Sequence, residues 1–92
     1  MSNSLPNLGF GSWDGIVLFG LPSCPACDQA SKYLQERNKN FKKVRIDNIP
    51  GLAEWLVKVT GQKSAPVFFY NGAYVRGGWE RMRMLLEAGH VQ

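Results

Sequence analysis

The two cysteines of this 92-residue chain lie in one short stretch, Cys24-Pro25-Ala26-Cys27. Four consecutive apolar residues, Ile16-Val17-Leu18-Phe19, precede it, and a helical pattern follows it. An apolar run of that length leaves neither face of a strand polar, so residues 16–19 read as a strand covered on both sides. Gly20-Leu21-Pro22-Ser23 then turns the chain toward the cysteines. Pro25 suits a first helical turn, because its missing N–H would have no helical partner there. A cysteine at a helix start faces unsatisfied N–H groups and the positive end of the macrodipole. Both favour the thiolate, which is the nucleophilic form.

Three kinds of chemistry use a C-x-x-C pair. A zinc site needs two further ligands, yet there is no third cysteine, and the only histidine is His90 in the tail. No metal is therefore expected. A purely structural bridge would close too short a loop to stabilise much. A redox pair fits the spacing, because the second thiol must reach the mixed disulfide formed at the first. Cys24, before the first turn, reads as the attacking nucleophile. Cys27, one turn in, reads as the buried resolving thiol. Asp28 would disfavour a second negative charge at Cys27 unless it points to solvent. Its plain role is a helix-start acid that complements the dipole.

The rest of the chain supplies a frame. Ala26, Ala30, Tyr33, Leu34 and Arg37 carry the helical pattern to residues 38–40. Residues 41–47 read as a second strand, joined to the first by a parallel crossover. Asn48 and Pro50 open a second helix with Leu52, Trp55, Leu56 and Val59 on one face, stopped at Gly61. Pro66-Val67-Phe68-Phe69-Tyr70 begins a third strand. Asn71-Gly72 is a strong hairpin signal, folding residues 73–76 back antiparallel. After Gly77-Gly78, Trp79, Met82, Leu85 and Leu86 mark a last helix, ending at Gly89. The order β-α-β-α-β-β-α predicts an α/β fold, a four-stranded mixed sheet with three helices. Residues 1–12, rich in Ser, Asn and Gly, are expected to form a flexible arm, with Trp13 tucking it onto a domain spanning 13–92.

Composition narrows the setting. Apolar residues make up 45% of the chain, which argues against disorder. No signal peptide or membrane-length apolar run is visible, so a cytoplasmic protein is expected, off the membrane. The net charge of +4 gathers around Lys39, Lys42, Lys43 and Arg45, and around Arg76, Arg81 and Arg83. The plain reading is a solvated surface; the sharper one is steering of acidic partners. Neither cluster sits in a nucleic-acid-binding motif, so no nucleic acid is expected. A monomer is expected.

Pro66 stands at the opening of a strand, which biases Ala65 toward extended geometry. It reads either as an ordinary edge proline or as a cis proline. In the second case the Ala65 backbone would stand beside the cysteines, where an extended substrate could pair with it.

With these residues assembled, the chain resembles the glutaredoxins, a branch of the thioredoxin-like fold. The resemblance runs over residues 15–89. It rests on C-P-x-C at Cys24–Cys27, Ser64-Ala65-Pro66 where the family has Thr-Val-Pro, and Gly77-Gly78 at the family's Gly-Gly turn. The continuation Cys27-Asp28-Gln29-Ala30 is similar to small phage-type glutaredoxins. The resemblance implies a cis Pro66 and glutathione as co-substrate, with no bound cofactor. Its groove would use the Ala65 backbone, Ser64 and Pro66, and Lys63 against the glycyl carboxylate. Gly78, Trp79 and Glu80 would hold the γ-glutamyl end. Disulfide-bearing proteins, ribonucleotide reductase among them, are the implied substrates.

Three departures from the family pattern stand out. Leu21 stands where many members have a lysine, Ala26 replaces a tyrosine, and Trp79-Glu80-Arg81 replaces a run with an aspartate. These changes open a second reading. NrdH-type redoxins look like glutaredoxins, take electrons from thioredoxin reductase, and carry a Gly-aromatic step similar to Gly78-Trp79. A glutathione-ligated 2Fe–2S carrier is a further alternative that the resemblance allows.

Overall fold

The computed structural model describes residues 8–9 and 11–91. Most of the expected arm lies outside the described residues, as do residues 10 and 92. The elements follow the predicted order: β1 (Ile16–Gly20), α1 (Pro25–Glu36), β2 (Phe41–Arg45), α2 (Leu52–Thr60), β3 (Val67–Tyr70), β4 (Ala73–Val75) and α3 (Gly78–Glu87). A single 3-10 turn, Ile46–Asn48, lies between β2 and α2. The four strands form one mixed sheet in the order β2-β1-β3-β4. β1 runs parallel to β2 and antiparallel to β3, and β4 pairs antiparallel with β3.

The apolar run of β1 is buried over its whole length. Its side chains alternate between two cores, as a strand's two-residue period requires. Ile16 and Leu18 join Phe68 under Ala30 and Leu34 of α1 and Met82 and Leu86 of α3. Val17 and Phe19 join Val67 and Phe69 against Leu52 and Leu56 of α2. Each fully buried side chain of this size contributes roughly 1.5–3 kcal/mol. The two central strands therefore carry both hydrophobic layers. Trp13 packs on the α2 side, with its ring centroid 5.3 Å from Phe69 and 5.6 Å from Phe19. Leu8 also packs against that core.

β2 ends at Arg45, two residues before the expected limit. Its last partner is Gly20, where β1 ends. Beyond that point no neighbouring strand remains, and the chain turns through Ile46–Asn48 instead. α1 likewise stops at Glu36, before residues 38–40. Asn38 adopts a left-handed φ of 54°, and two bonds close the helix, Asn38 N–H to the Gln35 carbonyl and Lys39 N–H to the Leu34 carbonyl. That pair is the Schellman arrangement. The hairpin forms as expected, with positive φ at both Asn71 and Gly72. No described helix is long and apolar enough to cross a membrane.

Candidate functional site

Cys24 is the N-cap residue of α1. Its backbone is extended, at φ −115° and ψ 102°, and its carbonyl accepts the first helical bond, from Asp28 N–H at 3.0 Å. Pro25 occupies the first helical turn and has no donor to leave unsatisfied. The Cys24 Sγ takes the place a serine or aspartate oxygen usually holds, accepting the Cys27 N–H at 3.2 Å. The sequence thus sets a sulfur, rather than an oxygen, at the positive end of the helix dipole. The two cysteines are joined as a disulfide, with Cα atoms 5.2 Å apart. Their exposure differs as the spacing predicts: Cys24 is half-buried, and Cys27 is fully buried. Asp28 is exposed to solvent, whereas the Cys27 sulfur is buried.

Gly20, at the end of β1, shapes the space behind the pair. A Cβ built there would lie 3.3 Å from the Cys27 Sγ and 3.1 Å from Leu18. The strand end can accept the buried sulfur because it carries no side chain. Sequence reasoning passed over Gly20, whose role depends on a neighbour seven positions away.

The loop between α2 and β3 forms the facing wall. The Ala65–Pro66 peptide is cis, as the sharper reading of Pro66 requires. The Ala65 carbonyl lies 3.9 Å from the Cys24 Sγ, so the loop and the helix-cap sulfur meet directly. Lys63 and Ser64 are exposed beside it, Ala65 is half-buried, and Pro66 is buried. A cavity of about 110 Å³ opens here, lined by Lys63, Ser64 and Ala65 together with Leu21, Ala53 and Val57. Leu21 is 40% exposed, an apolar side chain on the rim.

Gly78, Trp79 and Glu80 form the first turn of α3, with Gly77 as a left-handed N-cap at φ 108°. Glu80 is exposed, whereas Trp79 is half-buried. The indole stands edge-on to Tyr33 of α1 at 5.2 Å and lies 6.1 Å from the Phe68 ring. Trp79 therefore joins α3 to α1 and the sheet. The structure brings Cys24, Cys27 and Ala65 into one constellation and sets Lys63, Ser64 and Pro66 on the adjoining loop.

Gln62 is a second residue that sequence reasoning missed. Its Nε2 donates to the Ser64 carbonyl at 2.7 Å and to the Pro66 carbonyl at 2.8 Å. Its Oε1 accepts from the Tyr74 hydroxyl at 2.6 Å. Its position just past Gly61 was the available signal, since a polar side chain there can cap a loop. Among the described residues no three metal-ligating side chains gather.

A sulfur-capped helix after a central strand, faced by a cis-proline loop, defines a cysteine-pair protein of thioredoxin-like fold. The family model for glutaredoxin matches residues 16–75, which hold all four strands, the cysteine pair and the cis-proline loop. The chain belongs to the glutaredoxin family. A probable glutaredoxin of Acanthamoeba polyphaga mimivirus is 34% identical over 88 residues, covering 84% of this chain and 82% of the viral protein. Mitochondrial glutaredoxin-2 of Rattus norvegicus is 32% identical over 72 residues, covering 75% of this chain. The chain spans 46% of that mammalian relative's length. Among solved structures, wheat glutaredoxin superposes with a TM-score of 0.73 at 27% identity, covering 85% of this chain and 76% of the wheat chain.

Proposed function

We propose that this chain is a dithiol reductase that uses glutathione as its electron donor. The Cys24 thiolate attacks one sulfur of a substrate disulfide, and the other substrate sulfur leaves as a thiolate. Cys27, deprotonated, attacks the Cys24 sulfur of the mixed disulfide and releases the second substrate thiol. The Cys24–Cys27 disulfide remains. Two glutathione molecules then reduce it, leaving oxidised glutathione. Protein disulfides and glutathione mixed disulfides are the substrates, with ribonucleotide reductase one candidate. A reducing compartment such as the cytoplasm suits this direction of flow.

The observation that carries this reading is the double placement of the Cys24 sulfur. It accepts the Cys27 N–H at the helix start and lies against the Ala65 carbonyl of the cis-proline loop. The first contact supports thiolate character. The second supports a substrate strand lying along Ala65. In this reading Lys63 pairs with the glycyl carboxylate of glutathione. The first turn of α3, at Gly78, Trp79 and Glu80, receives the γ-glutamyl end.

Titrating the reduced protein with glutathione while following amide chemical shifts tests the groove. The expected shifts fall on Lys63, Ser64 and Ala65 and on Gly78, Trp79 and Glu80. The second reading, an NrdH-type redoxin, is favoured by exposed Leu21 on the apolar cavity rim, where many family members carry a lysine. Steady-state turnover with glutathione supports the first reading. Turnover with thioredoxin reductase alone, and no glutathione-induced shifts, would replace it with the second.

A further inference from the structure

The amide of Gln62 bonds the cis-proline loop twice and β4 once. The carbonyls of Ser64 and Pro66 can only accept hydrogen bonds, so the side of the amide facing them must be Nε2. The Tyr74 hydroxyl donates to the other side, Oε1. Turning the amide over would set an oxygen against both carbonyls, so the two carbonyls fix which way Gln62 faces, and the tyrosine hydroxyl donates to the oxygen left toward it. The two accepting carbonyls flank Ala65 on either side. Ala65 is thereby held from both neighbours while its own carbonyl stays against Cys24.

The clasp is anchored at both ends. Gln62 N–H donates to the Thr60 Oγ1 at 3.0 Å, and that hydroxyl donates to the Leu56 carbonyl at 2.6 Å, tying the loop to the end of α2. Tyr74 pairs with Phe69 across the β3–β4 hairpin, with ring centroids 5.9 Å apart. Gln62 and Tyr74 are both half-buried, and the bonds of the amide to the Pro66 carbonyl and the Tyr74 hydroxyl are partly shielded from competing water, while the bond to the Ser64 carbonyl is exposed.

We infer that Gln62 and Tyr74 are positioning residues for thiol–disulfide exchange, acting through the Ala65 backbone on the substrate strand that pairs with it. Neither side chain touches the reacting sulfurs. The inference rests on the reading above that Cys24 attacks substrate laid along Ala65. Its signature is selective: loss of the clasp weakens substrate capture but leaves the chemistry of Cys24 as it was.

The test uses the fully reduced protein and a peptide carrying a glutathione mixed disulfide, followed through a single turnover without an added reductant. Gln62→Ala is expected to raise the half-saturating peptide concentration on the order of tenfold, the effect of losing a hydrogen-bonded positioning contact. Tyr74→Phe keeps the ring on Phe69 and is expected to raise it about threefold. The double variant should be no worse than Gln62→Ala, because the hydroxyl acts through the amide. The limiting rate and the rate of Cys24 alkylation by iodoacetamide should stay unchanged. A clasp that is only structural would lower the melting temperature and leave half-saturation as in the parent; that result overturns the inference. Additive effects of the two substitutions, or a parallel fall in alkylation rate, also overturn it. Cys24→Ser run alongside separates the two levels. If that variant still reduces the peptide, the assignment of the nucleophile fails; if it does not and Gln62→Ala behaves as the parent, only the clasp fails.

Discussion

Two helices begin near the ends of this sheet, and they begin in opposite ways. The first turn of α1 is capped by a side chain, the sulfur of Cys24. The first turn of α3 follows Gly77 and has no side-chain cap at all. In α1 the donor that a cap satisfies, and the dipole behind it, act on an atom of the chain itself. In α3 the corresponding groups are not occupied by any side chain. The contrast is between a helix start whose field falls on a sulfur of the chain and one left open by its glycine cap, and it is on this contrast that the proposed division into a thiolate site and a ligand-end site rests.

The largest test of this contrast is catalytic. Cys24→Ser is expected to reduce turnover of any disulfide to background, since an alcohol at the cap is no nucleophile at neutral pH. Cys27→Ser should block turnover that needs the pair while leaving attack on glutathione mixed disulfides. Loss of that residual reaction would show that the two thiols do not divide their roles by position along α1.

The next test is at α3. Gly77 has φ 108°, and a Cβ there would lie 2.6 Å from the Arg81 Cβ. The obstacle is the near end of a helical side chain, so the backbone must shift. Gly77→Ala is expected to destabilise the fold by roughly 1–3 kcal/mol in urea denaturation, with amide shifts centred on the first turn of α3. Wild-type stability in this variant would mean that the open helix start does not depend on glycine.

A smaller effect is expected from the cap of α1 in the reduced protein. Serine can replace the sulfur as acceptor of the Cys27 N–H, and alanine cannot. Under reducing conditions Cys24→Ala should be less stable than Cys24→Ser by about 1 kcal/mol. Equal stabilities would show that the sulfur is near the helix start without capping it.

The smallest effect lies away from both helix starts. The side-chain hydrogen bonds from Arg45 hold the Asp47 carboxyl below its usual value. A carboxylate with a lowered folded pKa adds stability above its unfolded pKa, and that stability is lost as pH falls through the folded value. The pair is exposed, so salt screens it. Asp47→Asn should therefore slightly flatten the acid side of the stability profile without altering the contrast between α1 and α3.

Much of the frame was legible because its signals are local. The apolar run of β1, the Asn71-Gly72 turn and the stop at Gly89 each follow from residues within a few positions of one another. The cysteine pair was legible for the same reason, since capping and resolution both act across one helical turn. The end of β2 was not, because it depends on where β1 stops being available as a partner. Gln62 left only a faint local signal, because its acceptors are main-chain carbonyls and its donor is a tyrosine of β4, 12 positions on. Trp79 could be placed after the glycine pair, but not against Tyr33, a contact that exists only once α3 lies across α1.

The sulfur cap also ties folding to electron affinity. Any interaction that favours the Cys24 thiolate in the folded protein stabilises the reduced pair and raises its reduction potential. For a two-electron couple, about 30 mV corresponds to about 1.4 kcal/mol. Whatever part of this cap is stronger in the reduced protein than in the disulfide, where the Cys27 N–H already bonds the Cys24 sulfur, is therefore also a shift in the potential of the pair.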